Sequence, residues 1–396
     1  MITGAFRNLV DLTALAIVFW AQWHIGRWIL AKAEAGPLWI RNLVHLLVAS
    51  VCLWMAVGIA LNFHPIVHFL EVEAPLRGFV SGSTFLWMFS STGAYLVHRI
   101  RLMLLGRGGS ADFDPGRRKL IGAAGNTLVA VPFAMTGFGA LIGRTNFQVR
   151  EVDIPVPNLP KDLQGLRLLQ LSDIHLGPFL TERDLARVID ESMNLRAHLA
   201  LVTGDLISMR GDPLDACLRQ IARLRPDAGI LGCMGNHEAY TSCQDYVTKE
   251  GARRGMDFLR QRARPLKFGN ATLNIAGVDY ERIANRKTYL AGAERLVASD
   301  AVNILLSHNP DVFPAAARKG FDLTVAGHTH GGQVTVEILS QSLNIARFIT
   351  PFVSGYYSLE QPSKASLYVT RGIGTIGLPA RIGAPPEITL LRLIAV

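Results

Sequence analysis

The 396-residue chain has only four cysteines, Cys52, Cys217, Cys233 and Cys243, and no two of them form a CxxC pair. That excludes a cysteine-rich zinc cluster and a disulfide framework. A single disulfide among the last three stays open if that part of the chain is exported. No internal repeat of fixed period appears, which removes solenoids and propellers. Charge is scarce up to about Gly143, where apolar runs dominate, whereas the remainder has the mixed composition of a globular domain. A chain of this length and uneven composition is expected in two parts, and the second is long enough to bury a core of its own.

The charge that is present runs basic, to a formal +9. Much of the excess (Arg99, Arg101, Arg107, Arg117, Arg118, Lys119) lies beside apolar segments, where it reads as a topology signal and an attraction to anionic lipid. No nucleic-acid partner is expected. Spans are expected at about 9–30, 43–63, 79–97 and 120–142, each near the roughly 20 residues that cross about 30 Å of hydrocarbon. The first carries Asp11, Gln22, His24 and Arg27, so an interfacial helix is the alternative there.

The first connection holds Lys32 and Arg41, the third is strongly basic, and the second has Arg77 beside Glu71 and Glu73. The first and third are therefore expected on the cytoplasmic side, which puts everything beyond the fourth span outside. The run Gly116-Arg117-Arg118-Lys119-Leu120-Ile121 resembles a twin-arginine export signal; read instead as simple positive-inside residues, it predicts the same side. His24, His45, His64, His68 and His98 lie in or near the spans and are candidates for haem binding or proton relay, without diagnostic spacing between any two.

After a Pro-rich linker (149–164), short apolar runs alternate with amphipathic stretches. Leu166–Leu171, Leu199–Thr203, Gly229–Met234, Leu273–Val278, Val302–Leu306 and Leu323–Ala326 read as buried strands. Thr181–Leu195, Pro213–Leu224 and Asp311–Lys319 read as helices, with Thr181 as N-cap of the first. The pattern predicts a layered α/β sandwich, with a strand-like, Gly-rich and Pro-rich tail from Ser366.

Polar residues able to bind metal follow directly after the apolar runs: Asp173 and His175, Asp205, Asn236 and His237, His308, then His328 and His330. In α/β sheets the ligand crevice lies at the carboxyl ends of strands, so these distant residues can converge. Asp173 and His175 stand two apart, as do His328 and His330; in extended chain such a pair faces one way. Gly204, Gly235 and Gly327 each precede one of these residues, where a missing Cβ lets backbone approach an ion. The donor set is oxygen and nitrogen only, which favours Mn, Fe or Zn without choosing among them.

The ordered series Asp173-x-His175, Gly204-Asp205, Gly235-Asn236-His237-Glu238, His308 and Gly327-His328-Thr329-His330 resembles the five-block signature of the calcineurin-like metallophosphoesterases. The resemblance covers nearly all of 165–396. Leu171-Ser172-Asp173-Ile174-His175, Gly327 through Gln333 and the tail from Tyr368 to Ile388 are similar to the bacterial YkuE-like and YaeI-like branch, from which this chain departs in having several preceding spans.

The resemblance implies a four-layer α/β sandwich (165–396), here preceded by the transmembrane region (1–148) that the apolar runs indicate. It also implies two divalent ions: Asp173, His175 and His330 on one, Asn236, His308 and His328 on the other, and Asp205 bridging both. A hydroxide between the metals would attack phosphorus in line, and His237 would protonate the leaving oxygen or stabilise the transition state. Arg371 and Arg381 are candidates for contacting a substrate phosphate, with an exposed loop arginine as the alternative.

The expected activity is hydrolysis of a phosphomonoester, phosphodiester or pyrophosphate, favouring a lipid-linked or cell-envelope substrate at the outer face of a bacterial inner membrane. Two alternatives stand beside it. One is a lipid-nucleotide pyrophosphatase with a cytoplasmic site; the other is a membrane sensor or transport accessory whose phosphoesterase domain is regulatory.

Overall fold

The computed structural model describes residues 2–61, 73–106, 115–338, 341–361 and 364–396. The chain divides into two compact units, one of residues 1–141 with 377–380, the other of 142–376 with 381–396.

The first unit is helical: α1 (Ile2–Ala33), α2 (Leu38–Ala60), α3 (Ala74–Gly106) and α4 (Pro115–Leu141). Each coincides with one expected span. Two helical stretches among the described residues, Leu38–Ala60 and Thr127–Thr145, are long and apolar enough to cross a membrane. The first and third expected spans are not among these two; both helices carry polar residues, and several of these meet one another. Gln22 on α1 donates to Ser91 Oγ at 2.8 Å and Thr92 Oγ1 at 3.2 Å on α3, and Trp54 on α2 donates to Ser83 Oγ at 3.1 Å. Small polar residues at helix interfaces allow close approach and interhelical hydrogen bonds. A Cβ on Gly58 of α2 would run into Thr84 of α3, so that crossing requires glycine. His64, His68, Glu71 and Arg107 lie outside the described residues.

The second unit holds two six-stranded sheets. In one, β1 (Gln148–Val156), β14 (Glu387–Ala395), β2 (Arg167–Leu171), β3 (Leu199–Val202), β4 (Ile230–Gly232) and β5 (Met256–Phe258) lie in that order. In the other, the order is β12 (Gly355–Leu359), β13 (Ala365–Val369), β9 (Leu323–Ala326), β8 (Val302–Leu306), β7 (Ala271–Gly277) and β6 (Arg262–Phe268).

The inner faces pack on each other: Leu168, Leu199, Leu201 and Leu393 of the first sheet share one core with Leu273, Ile304, Leu306 and Val325 of the second. Parallel strands buried on both faces need continuous apolar runs, which explains why β2, β3, β8 and β9 were legible. Outside the first sheet, α5 (Glu182–Asn194) and α6 (Leu214–Ile221) bury Leu185, Val188, Leu218 and Ile221 against Leu169, Leu171 and Val202. Outside the second, Val312 and α9 (Phe313–Lys319) cover Ala276 and Leu305. The layers therefore run helix, sheet, sheet, helix.

α5 starts where the sequence places it. The Thr181 hydroxyl accepts from Asp184 N at 3.2 Å while the Asp184 carboxylate accepts from Thr181 N at 3.1 Å, a closed capping box. The expected linker at 149–164 is different: its first half belongs to β1, paired in parallel with β14 from Gln148–Glu387 to Val156–Ala395. Pro155, the proline within β1, is tolerated because β1 is an edge strand, where a missing N–H costs no ladder bond. All four cysteines are free. Cys217 and Cys233 are buried, and burial pushes both thiols well above their ordinary range.

Candidate metal centre

β2, β3 and β4 are parallel neighbours in one sheet, and β8 and β9 are parallel neighbours in the other. Asp173 and His175 follow β2, Asp205 follows β3, Asn236 and His237 follow β4, His308 follows β8, and His328 and His330 follow β9. The carboxyl ends of both sheets thus deliver these residues to one region. Bonds between the sheets tie it together. His308 Nδ1 donates to Thr203 O at 2.7 Å, and His328 N donates to the Asp173 carboxylate at 3.0 Å.

Convergence does not come from extended chain. Asp173, His175, Asp205, His328 and His330 all have positive φ, between 48° and 75°. That conformation is uncommon for residues other than glycine and clusters at functional sites. The equal spacing of the two Asp/His and His/His pairs thus has a different cause from the one the sequence suggests. After β2 and β9 the backbone leaves the strand and every second residue takes the left-handed conformation, while Thr329 between the two histidines is right-handed. Gly327 is required by close approach, because a Cβ there would strike Ser172 Oγ and the Asp173 carboxylate.

Two triads offer ligand atoms within 4.8 Å of one another: Asp173, His175 and His330, and Asp205, His308 and His328. A third grouping, His175, Asp205 and His237, meets the same limit. His175 Nε2 stands 3.2 Å from His330 Nε2 and 3.6 Å from Asp205 Oδ2. His308 Nε2 lies 3.0 Å from Asp205 Oδ2 and 3.8 Å from Asp173 Oδ1, so the carboxylates face the ring nitrogens of both triads.

Asn236 is buried, and its Oδ1 has no hydrogen-bond partner among the described residues. A buried orphan acceptor is costly, and beside this donor set it fits a cation.

The electrostatics agree. Burial opposes protonation of His308, but Asp205 and Asp173 overcome it and raise the imidazole to about 10. Burial likewise opposes ionisation of Asp205, yet His308, His237 and His175 hold it well below the carboxylate range. His175 is lowered to about 3 by burial and by the neighbouring His237. Two carboxylates that draw a proton onto a buried imidazole constitute a demand for positive charge, which a divalent ion meets without a proton.

His237 is half-buried and held at two atoms. Its N–H donates to Asp205 Oδ1 at 2.8 Å and its Nδ1 donates to Ser208 O at 2.5 Å, leaving Nε2 as the nitrogen free for chemistry.

Several supporting residues were not legible. Glu238, left outside the site by the sequence reading, accepts from Asp205 N at 2.9 Å, Leu206 N at 2.7 Å and Gly235 N at 2.7 Å, locking the two loops together. Its place directly after His237 was the available signal. Tyr280 packs beside His328 and His308, with centroids 5.5 and 6.1 Å away, and the exposed Tyr240 lies 5.6 Å from His237. Nothing in the spacing marks either.

Arg381, a candidate for substrate phosphate, is buried. Its guanidinium donates to the carbonyls of Gly374, His330 (2.8 Å) and Ala384, which leaves it to brace the His330 loop. Arg371 is partly exposed, and its Nε lies 3.9 Å from Glu387.

A family model described as calcineurin-like phosphoesterase matches residues 166–332. An uncharacterized metallophosphoesterase of Campylobacter jejuni is 31% identical over 62% of this chain and 63% of its own length. A Danio rerio protein named transmembrane protein with metallophosphoesterase domain is 30% identical over 61% of this chain and 56% of its own. The Bacillus subtilis metallophosphoesterase YkuE is 30% identical over 59% of this chain and 81% of its own. The matched region thus spans less than two thirds of the first two relatives.

Proposed function

The chain belongs to the calcineurin-like phosphoesterases, and from that premise we propose that residues 165–396 form a metal-dependent hydrolase of phosphate esters held at a membrane by the helices of 1–148. In this reading Asp173, His175 and His330 hold one divalent ion, Asn236, His308 and His328 hold a second, and Asp205 lies between them. Mn, Fe or Zn would suit the donors. Such ions supply Lewis acidity toward a phosphoryl oxygen and acidify water. The observation that carries the reading is the orphaned Asn236 Oδ1 beside two triads of ligand atoms.

The protein's own part is orientation and proton transfer. His237, anchored through Nδ1 to Ser208 O, presents Nε2 and so can carry the proton given to the leaving oxygen. Glu238 and Arg381 brace the loops on which His237 and His330 sit.

The membrane placement rests on α2 and α4, which are apolar enough to cross, and on the outward apolar side chains of the bundle, Trp23, Trp39, Leu46 and Leu53 among them. Four spans and basic first and third connections would put the hydrolase outside the cytoplasm, near a lipid-linked or envelope substrate. A lipid-nucleotide pyrophosphatase would instead need the site inside, so topology separates the two.

The test uses the purified full chain with Mn²⁺ and bis-p-nitrophenyl phosphate and p-nitrophenyl phosphate as substrates. Metal-dependent turnover that falls by at least about 100-fold in Asp205→Ala, and by a similar factor in His237→Ala, is expected. Folded, metal-loaded protein that hydrolyses neither ester, nor pyrophosphate, would sink the reading.

A further inference from the structure

The helical unit contains a cleft of about 410 Å³ bounded by α1, α3 and α4. Its walls are apolar: Ile25, Trp28 and Ile29 from α1, Trp87 from α3, and Val129 and Phe133 from α4. Its polar side chains His24, Tyr95, His98 and Arg99 gather toward the end of the cleft that Trp28, Ile29 and Leu102 also line. The His24 ring stacks on Tyr95 with centroids 6.0 Å apart, Arg99 Nη1 donates to Tyr95 OH at 3.5 Å, and His98 lies 6.1 Å from Trp28. No carboxylate is among the described residues that line the cleft.

The cleft has a direction. Contacts between α1 and α3 pair Gln22 with Ser91, His24 with Tyr95 and Trp28 with His98, advancing together, so the two helices run parallel. Arg99, His98 and Lys32, which lies in the last turn of α1, therefore sit toward one end of the bundle. From Arg99 back to Trp87 is 12 residues of helix, roughly 18 Å at about 1.5 Å per residue. That is close to half of the roughly 30 Å hydrocarbon core, the depth of one leaflet.

We infer that this cleft binds a phospholipid with an anionic headgroup, the phosphate at Arg99 and His98 and one acyl chain along Trp87 and Phe133. The lining is amphiphilic, no carboxylate stands among its described residues, and its volume falls in the range of ligand pockets, about 300–1,000 Å³. A zwitterionic lipid would bring its own cation to an end already basic. The inference rests on the membrane placement proposed above and is independent of the hydrolase chemistry.

All six tryptophans lie between residues 20 and 87, so tryptophan fluorescence reports on this unit alone. The experiment places the full chain in nanodiscs of phosphatidylcholine carrying a fraction of acyl-brominated phosphatidylglycerol or, separately, acyl-brominated phosphatidylcholine. The anionic lipid is expected to reach half-maximal quenching at about fivefold lower mole fraction. Arg99→Gln and the double variant Trp28→Phe, Trp87→Phe should both lose this advantage, whereas Arg99→Lys should keep most of it and show that the position tolerates change.

Equal quenching by the two lipids in the unmodified protein would overturn the inference. So would an anionic advantage that survives Arg99→Gln, because that is general attraction to a basic surface. Quenching by neither lipid would overturn the membrane placement and the inference with it, a pattern distinct from equal quenching by both.

Discussion

Glu238 takes three backbone N–H groups on its two carboxylate oxygens while fully buried. Burial and the nearby Asp205 raise its affinity for a proton, and the three donors oppose that rise. Glu238→Gln puts an amide NH2 where an acceptor is needed, so a loss of about 1–3 kcal/mol is expected, read as a lower melting temperature with the helical content intact. Tyr280 is a different kind of residue, packed beside the two histidines of one triad rather than within it. For an aromatic diester, Tyr280→Ala is expected to raise KM about fivefold while kcat changes little, since stacking contributes on the order of 1 kcal/mol. Steady-state kinetics on bis-p-nitrophenyl phosphate check this, and an unchanged KM would remove Tyr280 from the binding surface. At this scale the sequence was informative about chemistry and silent about conformation. Asp173 and His330 were recognisable by residue type and order, but neither type announces a left-handed backbone. Arg381 was misplaced because bonds to loop carbonyls leave no residue pattern behind.

Among elements, the parallel strands were the easiest to read, because burial on both faces demands unbroken apolar runs such as Val302–Leu306. β6 was hidden by the opposite circumstance. It is a largely exposed edge strand, Arg262–Phe268, with charged residues and a proline, and looks like a loop. β1 was hidden by Pro155 and the prolines that follow the strand; an edge position permits the first. Helix α5 was legible because its cap is local in sequence, and Thr181→Ala should cost about 1 kcal/mol, visible as a small fall in melting temperature with turnover preserved. On α2, Gly58→Ala drives a methyl into Thr84 and should destabilise the bundle by about 1–3 kcal/mol. A melting temperature in detergent equal to that of the unmodified protein would mean that α2 and α3 do not meet there.

For the whole molecule, the centre's demand for positive charge makes metal a stabiliser. Chelation is expected to lower the melting temperature, and Mn²⁺ at about 100 times its dissociation constant to restore about 2.7 kcal/mol. Asp205→Asn, which removes charge from the middle of the cluster, should abolish most of that Mn²⁺-dependent shift in a thermal melt. Composition made the division into an apolar helical part and a globular part legible, because lipid-facing and water-facing surfaces need different residues. α1 and α3 carry polar side chains that bond to each other, a pairing that no residue pattern in either helix announces.

The pairing of β1 with β14 sets an order of assembly. In the first sheet β14 lies between β1 and β2, and β14 is made after every other strand of the described chain. Gln148–Val156 therefore leaves the ribosome early and must keep its backbone groups in water while more than two hundred further residues are added. Contacts so distant in sequence are slow to form. During synthesis, the segment that joins the helices to the two-sheet unit is an open edge awaiting its mate, and β14 is the strand that fastens it.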